Sequence, residues 1–106
     1  MVNTIAEGET FVASRLTKGN LLFPTRLTVN PLHVSRVNRN FFSSNEESIA
    51  IAQVASVQIA TGILWSNIRI DSAGGTNPLT SHGHRKADAL RIRALIEGYQ
   101  VAARRT

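Results

Sequence analysis

At 106 residues the chain fits one domain, long enough to bury a core without metal or disulfide staples. Cysteine is absent, which excludes a disulfide framework, a thiolate nucleophile and sulfur-ligated zinc. Twelve Lys and Arg against seven Asp and Glu leave a formal charge of +5, most of it contributed by the segment from Arg85 to Thr106. Such a balance suits a polyanionic partner, and it equally serves solubility. The opening MVNTIAEGETFVASRLTKGN has no basic start followed by an apolar block, and no stretch of about 18 apolar residues occurs. The expectation is therefore a cytoplasmic protein, neither exported by a standard signal nor membrane-spanning.

Short apolar and polar alternations separated by Gly, Pro, Asn and Ser predict strands through most of the chain. In order they are FVASRLT (11–17), LFPTRLTV (22–29), HVSRVNR (33–39), ESIAIA (47–52), VASVQIA (54–60), SNIRID (66–71) and PLTSH (78–82). Pro24 predicts an edge or a break, because proline donates no ladder hydrogen bond. Val34 and Val37 have opposite parity, so burying both would require a bulge. Ile68 and Ile70 share one face of their strand, with Arg69 and Asp71 on the other. Lys18-Gly19-Asn20, Asn30-Pro31, Ser43-Ser44-Asn45 and the span from Gly74-Gly75 to Pro78 read as turns.

From Arg85 the pattern changes to that of one amphipathic helix, about 85–103. Ile92, Leu95, Ile96, Tyr99 and Ala102 or Ala103 recur at helical spacing on one face. Asp88 near its start and Arg104 and Arg105 near its end suit the helix dipole. Gly98 marks close packing or an early end. The whole is expected to be one domain, residues 1–106, mainly β with a C-terminal helix.

The run ESIAIAQVASVQIATGILWSNIRIDSAGGTNPLTSHGHRKADALRIRALI resembles small bacterial pleckstrin-homology-like (PH-like) domains. In that group an acidic strand start leads to an "I..V" strand, a "G.L" turn, an "I.I...GG" strand and turn, and a final helix. LFPTRLTVNPLHVSRV is similar to the group's opening pair, so the likeness spans about residues 22–97. It implies a seven-stranded bent antiparallel barrel or sandwich capped by the helix, with Trp65 packed in the core. It also implies a non-enzymatic module acting by self-association or protein-partner binding. Lipid-binding PH-like domains gather basic residues at the first hairpin, where the corresponding positions here are Arg15, Lys18 and Arg26. The ordinary reading of so loose a set is a solvated face.

The stretch SAGGTNPLTSHGH offers other chemistries. His82, His84 and Asp88 could meet at the end of a strand and the first turn of a helix, but their spacing matches no zinc motif, and no metal or other cofactor is expected. Gly74-Gly75 lacks the further glycines and the immediate helix of a nucleotide loop. No nucleophile elbow or paired acids appear, so no enzyme activity is expected. His84, Arg85 and Lys86 at the helix entrance remain candidate anion contacts. An anionic membrane surface or a nucleic-acid backbone is the alternative partner, although the basic residues lack interleaved aromatics for stacking bases.

Overall fold

A computed structural model describes residues 8–14, 22–39, 42–74 and 77–104. Seven antiparallel strands form two sheets, followed by one helix. The first sheet contains β1 (Glu9–Val12), β2 (Arg26–Val29), β3 (His33–Arg39) and β4 (Ser44–Ala50), in that spatial order. The second contains β5 (Val54–Thr61), β6 (Trp65–Ser72) and β7 (Leu79–Arg85), and α1 (Lys86–Arg104) follows directly. A 3-10 turn, Ile51–Gln53, carries the chain from one sheet to the other.

Local chemistry explains the connections. Between β2 and β3 the Asn30 side chain accepts hydrogen bonds from the Leu32 and His33 amides at 2.8 and 2.7 Å, a bonded turn around Pro31. Pro24 precedes β2, which starts only at Arg26, so the break expected there is a late start to the strand. Strand β3 is regular on both sides: Val34 is buried, Val37 on the opposite face is half-buried, and no bulge reconciles them. Strand β4 begins earlier than its hydrophobic pattern announces. Its first five residues are all exposed and pair with β3 from Ser44↔Arg39 onward, so backbone pairing alone makes them strand.

One core fills the space between sheets and helix. Leu27 and Val29 of β2, Val34 of β3, Ile68 and Ile70 of β6, and Ile92 and Ile96 of α1 are essentially sealed from water. Each such aliphatic side chain contributes about 1.5–3 kcal/mol of transfer free energy. Gln100 secures the far end of α1 by donating to the carbonyls of Ile51 and Val54 at 3.1 and 2.8 Å. Ala102 and Ala103 are exposed, so the apolar stripe touches the core only as far as Tyr99. Gly98 neither ends α1 nor packs closely: a Cβ there would meet nothing within 4 Å.

The sheets do not join into a closed barrel, and two contacts pin the first sheet to β7. Between Ser66 and Ile68 of β6, β7 contains an extra residue, and Gly83 within that bulge has φ 84°, the left-handed region. Its carbonyl accepts the Ser14 amide at 2.8 Å. Further along, the Arg36 guanidinium donates both to the Thr80 carbonyl and to Glu47. The last strand, expected to end at His82, therefore runs on through a bulge at Gly83 and gives way to helix only after Arg85.

Candidate functional site

Of the six residues proposed as anion contacts, at the first hairpin and at the helix entrance, the structure describes four: Arg26, His84, Arg85 and Lys86. Arg15 and Lys18 lie outside the described residues. Arg26, Arg85 and Lys86 are exposed, the first on β2 and the others at the β7–α1 junction. His84 does not join them: it is 0 % exposed and faces the core, on the inner side of the bulge. Its Nε2 lies 2.6 Å from Ser81 Oγ, and burial holds its pKa below the usual imidazole value, so it is neutral near pH 7. Three other arginines already have carboxylate partners: Arg36 with Glu47, Arg69 with Asp71 and Arg91 with Glu9.

The Ser81–His84 pair has the elementary geometry of a nucleophile beside a base. Both side chains are buried, however, and among the described residues His84 Nδ1 has no hydrogen-bond partner that would orient the ring. In this arrangement the two side chains form a hydrogen bond within the core. His82, two residues earlier, is exposed, which separates the two histidines. Among the described residues, no group of three His, Asp or Glu side chains could hold a metal.

What the structure does assemble is the outer face of the second sheet. The register places Gln58, Arg69 and Thr80 in one cross-strand row, with Ala60 beside Asn67 in the next. Together with His82 they line an open depression of about 830 Å³. One charged cluster organises its margin. Ser56 Oγ and Gln58 Nε2 donate to Asp71 Oδ2 at 2.8 and 3.1 Å, and Arg69 Nε donates to Oδ1 at 2.9 Å. The Arg69 and Ser56 hydrogen bonds hold the Asp71 carboxyl below the usual range, so it is ionised at neutral pH and compensates Arg69. The depression is therefore polar, with Arg69 balanced by Asp71 at its margin, while exposed Arg85 stands farther along the same sheet at the end of β7.

Beside this depression stands the β5–β6 hairpin, which the Gly62 N–H closes by donating to the Trp65 carbonyl at 2.8 Å. Its two central positions, where hairpins most often take Gly, Asn or Asp, contain Ile63 and Leu64. They are 90 % and 68 % exposed. Trp65 is only half-buried and lies outside the core, at the margin of a second hollow with Ile63 and Leu64. Its expected core position is corrected: a strand start next to a projecting turn leaves one side of the ring open. Sequence reading missed the hairpin as a surface feature because ILW reads as an ordinary apolar run. The signal available was the pair of bulky aliphatics in a two-residue turn, a position that projects side chains toward solvent.

Comparison with protein-family models, curated proteins and solved structures finds no match for this chain. Among the described residues, no helix is long and apolar enough to cross a membrane.

Proposed function

We propose that the chain is a PH-like interaction module that works by protein contact, chiefly self-association, and performs no chemistry of its own. The order of seven strands and a closing helix accords with that reading. The observation that carries it is the exposed Ile63-Leu64 turn beside the uncharged β5 strand and the charge-balanced depression on the second sheet. Water gains from losing contact with such aliphatic side chains, and monomers seldom leave them projecting together at a turn. The polyanion reading has less behind it, since Arg26 sits on the first sheet, apart from Arg85 at the end of β7 and Lys86 at the start of α1, and three further arginines are neutralised by carboxylates. The proposed setting is cytoplasmic.

Size-exclusion chromatography with light scattering tests this reading. The expected result is a mass that rises above 11.6 kDa with concentration. A strict monomer up to millimolar concentration would remove self-association. Anionic vesicles and duplex DNA titrated across a salt series form the second arm, with no retention expected at physiological ionic strength. Tight binding that weakens steeply with salt would transfer the function to the basic residues.

A further inference from the structure

The strand edges of the two sheets differ in how they are guarded. The open side of β7 receives the Ser14 amide at Gly83 and the Arg36 guanidinium at Thr80. Strand β1 is only four residues long, and its Glu9 is held by Arg91 of the helix. Strand β4 has Glu46 and Glu47 at its edge; short strands and charge are both common devices against unwanted strand pairing. Among the described residues, strand β5 is held only at its first residue, where Gln100 of α1 donates to the Val54 carbonyl. Its eight residues, VASVQIAT, include no charge and no proline, and among the described residues no strand pairs with its outer side.

The hairpin register shows which groups that edge offers. Hydrogen-bonded and non-bonded pairs alternate along an antiparallel ladder. With Gly62–Trp65 a bonded pair, Ala60–Asn67, Gln58–Arg69 and Ser56–Asp71 follow as bonded pairs. Val57, Ile59 and Thr61 therefore turn their backbone N–H and C=O outward. The side chains of Val57 and Ile59 pack against the core yet stay partly exposed, as do Leu95 and Tyr99 of the helix laid against this sheet. The same margin thus has unpaired backbone and unfinished apolar contact.

We infer that this edge pairs with β5 of a second copy, antiparallel, about a two-fold axis passing through Gln58. The inference rests on the self-association reading above and adds its location and register. Gln58 faces its own counterpart in this arrangement, Val57 and Ile59 pair reciprocally across the axis, and Ser56 lies opposite Ala60. About four main-chain hydrogen bonds form through Val57 and Ile59. The two second sheets become one six-stranded sheet. An axis at Val57 would instead set Val57 against itself and Ile59 against Ala55, where the β5–β6 register is already broken by a bulge. A two-fold axis sets each residue near it against its own copy, which only an uncharged strip allows without a like-charge clash, and VASVQIAT meets that condition. Two chains of +5 repel at long range, but the strip that meets has no ionisable group, and the nearest pair, Arg69 with Asp71, is neutral as a unit.

The chain has no cysteine, so single thiols report the register directly. Across a non-hydrogen-bonded antiparallel pair the Cα atoms lie about 4.5 Å apart, within the about 4.4–6.8 Å that a disulfide spans. Under mild oxidation Gln58→Cys is expected to run largely as a disulfide-linked dimer. Ser56→Cys and Ala60→Cys are each expected to stay monomeric alone and to cross-link when mixed. Thr80→Cys, exposed on the same face but away from the edge, is the control and is expected to remain at least tenfold less linked. Gln58→Glu, which sets two carboxylates face to face at an exposed position, is expected to weaken dimerisation at least tenfold relative to Gln58→Ala, which loses the same hydrogen bond to Asp71 without adding a charge. A dimer by light scattering that links at Ile63→Cys and not at Gln58→Cys would overturn the edge pairing and leave self-association standing. A strict monomer would overturn both, including when an added extended peptide protects the edge instead.

Discussion

Two glycine-to-alanine substitutions should move stability in opposite directions, because one glycine is required by its backbone and the other is not. Gly83 has φ 84° and is buried inside the β7 bulge, where its carbonyl receives the Ser14 amide. A side chain in left-handed backbone costs about 1–2 kcal/mol, and relieving that strain by rotating the residue would turn the carbonyl away from Ser14, at a further loss of about 1 kcal/mol. Gly83→Ala is therefore expected to destabilise by about 1–3 kcal/mol. Gly98 lies within α1, is exposed, and has open space where a Cβ would stand. Alanine there gains helix propensity of about 1 kcal/mol relative to glycine. Urea denaturation followed by far-ultraviolet circular dichroism measures both, and in a domain near this size 1 kcal/mol shifts the thermal midpoint by about 4–8 °C. Equal signs for the two variants would refute the reasoning, since it would mean that backbone conformation at the bulge and in the helix does not set the glycine preference.

Three further outcomes follow from the core. Burial holds His84 below the ordinary imidazole value of 6.5, so its contribution to stability is complete above that value and is lost as the pH falls toward the lowered folded-state value. Between pH 7.5 and 5.5 this amounts to a loss of at most about 1.4 kcal/mol for one proton, measured as a falling urea midpoint that His84→Gln should flatten. Ile92→Ala, at a fully buried position, is expected to cost about 2–5 kcal/mol by denaturant titration, whereas exposed Leu90→Ala should change stability by no more than about 0.5 kcal/mol. Gln100→Ala removes two part-buried hydrogen bonds that tie α1 to the inter-sheet turn, and amide exchange should show faster opening of the last helical turns, with about 1–2 kcal/mol lost overall.

Period-two patterning was clearest in β6, where Ile68 and Ile70 are buried while Asn67 and Arg69 face water; the first strand, expected over 11–17, is instead Glu9–Val12, and residues 15–17 lie outside the described residues. Strand β3 keeps its expected limits, and α1 extends one residue past its expected end. Boundaries drifted where pairing rather than burial makes the strand: Ser44 to Ser48 are all exposed and give no hydrophobic signal. The last strand ran on through Gly83, His84 and Arg85 because a bulge lets a glycine sit inside a ladder, an arrangement that reads in sequence as a turn. His84 illustrates the limit for sites. Beside Arg85 and Lys86 it reads as part of a basic entrance, yet the bulge turns it inward onto Ser81. The open β5 edge was not legible at all, since an edge is defined by what fails to pair with it, and strand order lies outside any local pattern.

Amide hydrogen exchange of the unmodified chain at two concentrations tests the proposed β5 pairing most directly. At low micromolar concentration the Val57 and Ile59 amides, which point outward from an unpaired edge, should exchange rapidly while the Gln58 amide, paired with β6, is protected. Raising the concentration through the dimer transition should slow Val57 and Ile59 at least tenfold and leave the β4 edge at Glu46 to Ser48 unchanged. Exchange at Val57 and Ile59 that stays fast at every concentration while the mass doubles would contradict the account and place the contact elsewhere on the molecule.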